Sequence, residues 1–313
     1  MAKYLVTGGC GFIGRHLVKR LLSASNDVTV IDDLSTGDRT AIPDNVPLII
    51  ANAADGEAVR DAVDGMDGVF HLAGDPSVPR CMENYLASHL TNQTTTVAIL
   101  DAAARIHQAG GRMPIVFASS CAIYGRSELV PLVETTPAAP VSSYGLDKIT
   151  GEYHAALVSE LFDVNSVALR YFNVYGPGQD PRSPYTGVLS IFSSRLMKNE
   201  GIIVHGDGTQ VRDFIYVEDV VTRTVQAMAL AAKGESAVLN VCTGIQTRVI
   251  DAANTIAEIC GVTPRIAFEP PRAGDVTISL GAPEASTKTL GALPPTPLAT
   301  GLEETLKWMR SVG

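Results

Sequence analysis

The chain is poor in what a secreted, membrane-bound or nucleic-acid-binding protein would use. Only five cysteines occur in 313 residues (Cys10, Cys81, Cys121, Cys242 and Cys260), set singly and without a C-x-x-C pair. That pattern supports neither a disulfide framework nor a zinc site, and it fits a reducing, cytoplasmic compartment. No apolar run approaches the roughly 18 residues of a membrane span, and no basic stretch followed by an apolar segment marks a leader. Positive charge is also scarce: 24 Lys and Arg stand against 33 Asp and Glu, a net charge of −9. A nucleic-acid backbone or an anionic membrane is therefore excluded as the expected partner. The six histidines (His16, His71, His89, His107, His154 and His205) show no ligand spacing, and no metal is expected. With 46% apolar and 18% charged residues the balance is globular, and the length suits two lobes or one large α/β unit.

Short apolar or β-branched runs recur at Tyr4-Leu5-Val6, Val28 to Ile31, Leu48 to Ile50, Val69 to Leu72, Ile115 to Phe117 and Val167 to Leu169. Between them lie segments of helical spacing such as Phe12, Ile13, Leu17, Val18, Leu21 and Leu22. Strand alternating with helix predicts an α/β protein with a doubly wound parallel sheet, a Rossmann domain. The pattern loosens near residue 175, which suggests residues 1–175 as the Rossmann domain and 176–313 as a smaller α/β substrate-binding lobe. Part of about 210–245, with the apolar run Val238-Leu239-Asn240-Val241, is expected to cross back to the first.

Directly after the first strand stands Thr7-Gly8-Gly9-Cys10-Gly11-Phe12-Ile13-Gly14. Gly8 suits a tight turn, Gly11 a close approach of backbone N–H groups to a pyrophosphate, and Gly14 close helix–strand packing; the helix N-terminus adds its positive end. Asp32, at the end of the second strand, is placed to bind both ribose hydroxyls, which favours NAD over NADP; Asp33 beside it could share the role. Ser35, Thr36 and Gly37 are candidates for the adenosine end.

A later strand ends in Ala118-Ser119-Ser120, and 24 residues beyond Ser120 comes Tyr144-Gly145-Leu146-Asp147-Lys148. The i, i+4 spacing puts Tyr144 and Lys148 on one helix face, where the ammonium is expected to lower the phenol pKa toward neutrality. A phenol so adjusted is a general base for an alcohol proton.

These motifs resemble the extended short-chain dehydrogenase/reductase superfamily, specifically its NAD-dependent sugar-nucleotide epimerase/dehydratase family. The likeness runs nearly end to end: the T-G-G-x-G-F-I-G opening, His71-Leu72-Ala73-Gly74, S-S-x-x-x-Y-G, Tyr144 with Lys148, Arg170 to Pro177, Gly206 to Asp213 and Arg272 to Asp275. The resemblance implies that Ser120 hydrogen-bonds the sugar O4, that Tyr144 is the base and that Lys148 holds the nicotinamide ribose. It further implies Leu72, Ala73, Gly74, Asn92 and Tyr171 beside the cofactor, Asn52 and Ala53 near adenine, Asn173 and Arg212 on the substrate diphosphate, Arg272 on a phosphate and Asp275 on the nucleoside ribose, typically of UDP. Homodimerisation through the helices after residues 92 and 148 is implied as well.

In the family's dehydratases the two residues after the strand-end Ser or Thr are acids; here they are Cys121 and Ala122. Alanine cannot take a proton, so the expected activity is 4-epimerisation of a UDP-sugar (UDP-glucose and UDP-galactose or their N-acetylhexosamine forms) through a 4-keto intermediate. A dehydratase with Cys121 as accessory acid, a UDP-glucuronate epimerase or decarboxylase, and a catalytically silent NAD sensor stand as alternatives. Seven residues past Arg272, Ser279 matches a pocket position where a small side chain leaves room at the sugar C2. Two departures touch the cofactor site: Asn52-Ala53 replaces an Asp-Ile or Asp-Leu pair, and the loop Gly74 to Arg80 carries proline where some epimerases have a lysine. Arg80 is a candidate phosphate or sugar contact.

Overall fold

The computed structural model describes residues 1–181, 186–271 and 276–312. The chain opens with β1 (Lys3–Thr7), α1 (Phe12–Ser23), β2 (Asp27–Asp32), β3 (Leu48–Ile50), α2 (Gly56–Val63) and β4 (Gly68–His71). Two short helices, α3 (Val78–Glu83) and α4 (Tyr85–His89), run through a π-helical turn at Leu90–Thr94 into α5 (Thr95–Gln108). Then come β5 (Ile115–Ser120), α6 (Ser143–Phe162) and β6 (Ser166–Tyr171). The later elements are β7 (Asn173–Tyr175), α7 (Val188–Met197), β8 (Ile202–His205), β9 (Val211–Arg212), β10 (Phe214–Tyr216), α8 (Val217–Ala231) and β11 (Ala237–Val241). The chain closes with β12 (Thr247–Arg248), α9 (Val249–Cys260), β13 (Ile266–Glu269), β14 (Ile278–Ser279), α10 (Glu284–Leu290) and α11 (Leu298–Val312).

Seven strands form one sheet in the order β11-β6-β5-β4-β1-β2-β3, the doubly wound α/β Rossmann architecture that the strand–helix alternation predicts. The β1–β2, β2–β3, β1–β4 and β4–β5 pairings are parallel. Because helices cover a parallel sheet on both faces, its strands can be apolar throughout, and Leu5, Val6, Val30, Ile31, Val69 and Phe70 are all completely buried. The chain runs outward from β1 through β2 to β3 on one side and through β4 to β5 and β6 on the other. β1 and β4 therefore flank the switch point, where such sheets bind ligands at the strands' carboxyl ends.

Two compact units are discernible, and neither is one stretch of sequence. The first holds Met1–Ile123, Ser142–Arg170 and Val221–Leu239; the second holds Tyr124–Val141, Tyr171–Val220 and Asn240–Gly313. The second unit has only small sheets: β10 with β7, β12-β9-β14, and β13 with β8. Its core is filled largely from helices, with Phe192, Leu196, Ile256, Leu302 and Leu306 each at most 1% exposed. Among the described residues no helix is long and apolar enough to cross a membrane.

Candidate active site

The carboxyl ends of β1, β2, β4 and β5 carry Thr7, Asp32, His71 and Ser120, so sheet topology alone gathers the first unit's polar residues at one edge. The turn after β1 is shaped by glycine. Gly8 adopts φ +70°, and a Cβ there would lie 2.8 Å from the Ala73 backbone nitrogen; a Cβ at Gly14 would collide with the Gly8 carbonyl. Backbone thus meets backbone where a side chain would intrude, and Leu72, Ala73 and Gly74 form the facing wall. Phe12 and Ile13 open α1, whose N-terminus at Gly11 has no side-chain cap, so its first-turn N–H groups point to whatever anion the cradle accepts. Asp32 is held by backbone: Cys10 N–H donates to its Oδ2 (2.9 Å) and Leu34 N–H to its Oδ1 (2.9 Å). Each oxygen keeps accepting capacity for a ribose hydroxyl. Gly37 closes on the same place, since a Cβ there would come 3.0 Å from Asp32 Oδ1. A glycine cradle, a bare helix N-terminus and a fixed carboxylate together fit a dinucleotide such as NAD.

Neighbouring candidates are more committed than their residue types suggest. Asp33 accepts from Ser35 N–H (2.9 Å) and from the Asn52 amide (3.0 Å), while Asn52 Oδ1 accepts from Ala54 N–H (2.8 Å). Thr36 is exposed and Ala53 buried. Asn92, completely buried in the π turn, pins the loop after β4: its Oδ1 accepts from Asp75 N–H (2.9 Å) and its Nδ2 donates to Asp75 O (3.2 Å). Arg80 forms a two-pronged pair with Asp75, Nε on Oδ2 at 2.5 Å and a second guanidinium nitrogen on Oδ1 at 2.6 Å. That pair joins α3 to the loop after β4.

His71 bridges Thr7 Oγ1 (2.8 Å) and Thr96 Oγ1 (3.1 Å), joining β1, β4 and α5. Burial and then the nearby Lys148 charge push its pKa down to about 3, so the imidazole is neutral. This buried link is a feature that the strand pattern alone does not disclose.

Ser142 caps α6 by accepting from Gly145 N–H (3.1 Å), which sets the register that carries Tyr144 and Lys148. The Ser120 hydroxyl lies near enough to Tyr144 to favour its phenolate, so residues 24 apart in sequence converge. Ser120 Oγ also accepts from Ala122 N–H (3.1 Å). The Lys148 ammonium lies over the Tyr144 ring, 5.7 Å from its centroid. The phenol pKa, however, is raised and not lowered: burial disfavours phenolate more than the nearby Ser120 hydroxyl favours it. Burial brings Lys148 down to about 8, partly opposed by Asp147. Same-face spacing is therefore right, but desolvation of both groups reverses the expected direction for Tyr144. Cys121 is partly exposed at the start of the turn after β5, within electrostatic reach of the phenol.

In the second unit Asn173, Arg212 and Ser279 cluster around Asp213. Ser279 is paired with Arg212 in the β14–β9 register, Asp213 N–H donates to Ser279 O (2.9 Å), and Asn173 Nδ2 donates to Asp213 O (3.2 Å). The fully buried Asp213 carboxylate accepts from Thr243 N–H (2.8 Å), Thr243 Oγ1 (2.7 Å), Gly244 N–H (2.9 Å) and Gly281 N–H (3.3 Å). Asp213 closes the Gly206 to Asp213 motif, and only the apolar run Phe214-Ile215-Tyr216 after it hints at burial. Tyr171 is buried at the end of β6. Arg272 and Asp275 lie outside the described residues. Among the described residues no group of His, Cys, Asp and Glu could hold a metal ion.

A Rossmann sheet with a dinucleotide cradle and a Ser/Tyr/Lys set defines the class as a nucleotide-dependent enzyme of the short-chain dehydrogenase/reductase kind. The model of the NAD-dependent epimerase/dehydratase family matches residues 4–242, and the chain belongs to that family. It is similar to a UDP-glucose 4-epimerase of Mycolicibacterium smegmatis, 32% identical over 98% of each chain. Among solved structures it resembles the UDP-glucose 4-epimerase of Thermotoga maritima with UDP-glucose (TM-score 0.93, 32% identity, 99% of each chain). It likewise resembles the UDP-glucose 4-epimerase of Thermus thermophilus in complex with NAD (TM-score 0.89, 32% identity, 99% of this chain and 100% of that one).

Proposed function

We propose that the protein is an NAD-dependent UDP-sugar 4-epimerase. The observation that carries this reading is the convergence of Ser120, Tyr144 and Lys148, with alanine at 122 where dehydration needs a proton acceptor. NAD held by the glycine cradle and Asp32 would supply the hydride acceptor and donor for the sugar C4. Tyr144, as its phenolate, takes the O4 proton as that carbon is oxidised, becoming the phenol, and gives it back on reduction; Ser120 hydrogen-bonds O4 and fixes its distance from the phenol oxygen. Lys148, whose ammonium lies over the Tyr144 ring, holds the cofactor ribose. Arg212, Arg272 and Asn173 bind the diphosphate, for which the guanidinium's paired donors are suited, and Asp275 binds the ribose of UDP. Keeping hold of the nucleotide lets the hexose turn over while the 4-keto sugar is retained. Ser279, small and paired with Arg212, leaves room for an N-acetyl group at C2.

Supporting a homodimer, α5 and α6 present an apolar outer face with Val97 37%, Leu157 50% and Leu161 60% exposed. A cytoplasmic location accords with five cysteines and no disulfide among them. A second reading, dehydration assisted by Cys121, draws on that thiol's nearness to Tyr144. Incubation with UDP-glucose, UDP-N-acetylglucosamine and UDP-glucuronate, followed by proton NMR, tests both. Inversion at C4 is expected, and loss of water or of carbon dioxide would overturn the epimerase reading.

A further inference from the structure

Tyr144, Lys148 and Glu152 follow one another at i, i+4 and i+8 on α6. Glu152 is only 5% exposed, yet its carboxylate is shared between two strands. Its Oε1 accepts from Ser119 Oγ at 2.5 Å and from Arg170 Nε at 3.0 Å, and its Oε2 accepts from a terminal Arg170 nitrogen at 2.7 Å. Ser119 and Arg170 are themselves 2% and 6% exposed. Just before Glu152, α6 comes close to its neighbour: a Cβ on Gly151 would stand 3.3 Å from Thr96 Cγ2. The cluster thus ties α6 to β6 through Arg170 and to β5 through Ser119, the residue next to Ser120.

A buried ion pair is weak evidence of stability for its own sake, because desolvation offsets much of the attraction. What this one supplies is geometry. The Ser120 and Tyr144 hydroxyls, carried by β5 and α6, must stand together at the reaction centre, and a rigid link between the same two elements fixes their separation. We infer that Glu152, with Ser119 and Arg170, is a positioning residue that sets the register of α6 against β5 and so aligns Tyr144 with Ser120. The inference rests on the proposed catalytic role of that pair.

In Glu152→Gln the amide nitrogen faces an Arg170 N–H donor, so one arm of the link is lost while volume is kept. Misplacement of reacting groups by an ångström costs up to about 100-fold in rate, so a loss of about tenfold in kcat is expected, with KM for the UDP-sugar within about twofold. The decisive readout is a cycle with Ser120→Ala. If Glu152 acts through the alignment of Ser120 with Tyr144, Glu152→Gln costs less than about twofold once Ser120 is already gone. Equal losses in both backgrounds would show that Glu152 serves folding alone and would overturn the inference. Ser119→Ala, which removes one hydroxyl and leaves the ion pair intact, guards against a Glu152 variant that fails to fold. It should give a smaller kcat loss that also vanishes in the Ser120→Ala background, and an additive loss or none would count against the inference. The two readings fail separately. If Ser120→Ala alone costs nothing, the catalytic assignment falls and the inference with it; if Ser120→Ala costs activity and the cycle is additive, only the positioning role falls.

Discussion

The two units solve the same problem, holding polar groups in fixed places, by different means. In the first, regular strands end at one edge of a parallel sheet and deliver Thr7, Asp32, His71 and Ser120 there, so the site is largely a consequence of topology. In the second, the strands holding Asn173, Arg212 and Ser279 are two or three residues long, too short to fix anything by themselves. There a buried carboxylate, Asp213, gathers Thr243, Gly244 and Gly281, while its backbone gathers Asn173 and Ser279. The lesson is that a sheet edge tolerates the loss of one polar side chain better than a hub does.

The largest expected effect follows from that contrast. Asp213→Ala leaves several buried donors without an acceptor, and since each bond to a charged group contributes roughly 1.5–3 kcal/mol, a loss of about 5 kcal/mol is expected by urea unfolding. Asp251→Ala, at an exposed carboxylate paired with Arg248, should change stability by less than about 1 kcal/mol. Both carboxylates lie in the second unit, and equal effects at the two sites would mean that Asp213 is no hub there.

A smaller effect belongs to the first unit and depends on pH. His71 has a native pKa of about 3 against 6.5 for the free side chain, so between those values the unfolded chain binds the extra proton. Its contribution is complete above pH 6.5 and is lost as pH falls toward 3, by roughly 3 kcal/mol on reaching pH 4. His71→Gln should therefore flatten the acid limb of a Tm-against-pH curve relative to the parent. Unchanged acid sensitivity would mean that other groups govern it. The smallest effect is expected at Cys121: Cys121→Ala should alter epimerase turnover by less than about twofold, and a loss of tenfold or more would move the thiol into the chemistry.

Much of the first unit is legible in the sequence because buried parallel strands read as apolar runs and glycine marks where backbone must approach backbone. The places of Asp32 and Ser120 at strand ends and of Tyr144 and Lys148 on one helix are legible because each stands at a fixed offset from such a run or shares a helical face. The direction of the Tyr144 shift could not, since spacing places Lys148 beside the phenol but says nothing of how completely both leave water. Nor does residue type reveal that Asn52 and Asn92 spend their amides on nearby loops. Glu152 and Asp213 were hidden for a related reason. Their partners, Arg170 for one and Thr243 for the other, lie 18 and 30 residues away and become visible only in three dimensions.

The central claim is that the Tyr144 hydroxyl exchanges the sugar O4 proton in an NAD-dependent 4-epimerisation. Turnover of UDP-glucose by Tyr144→Phe, with bound NAD measured on the same sample, tests it most directly. A fall in kcat of about 10²–10⁴-fold at undiminished NAD content is predicted, the usual range for a positioned acid–base group; turnover equal to that of the parent protein would contradict it.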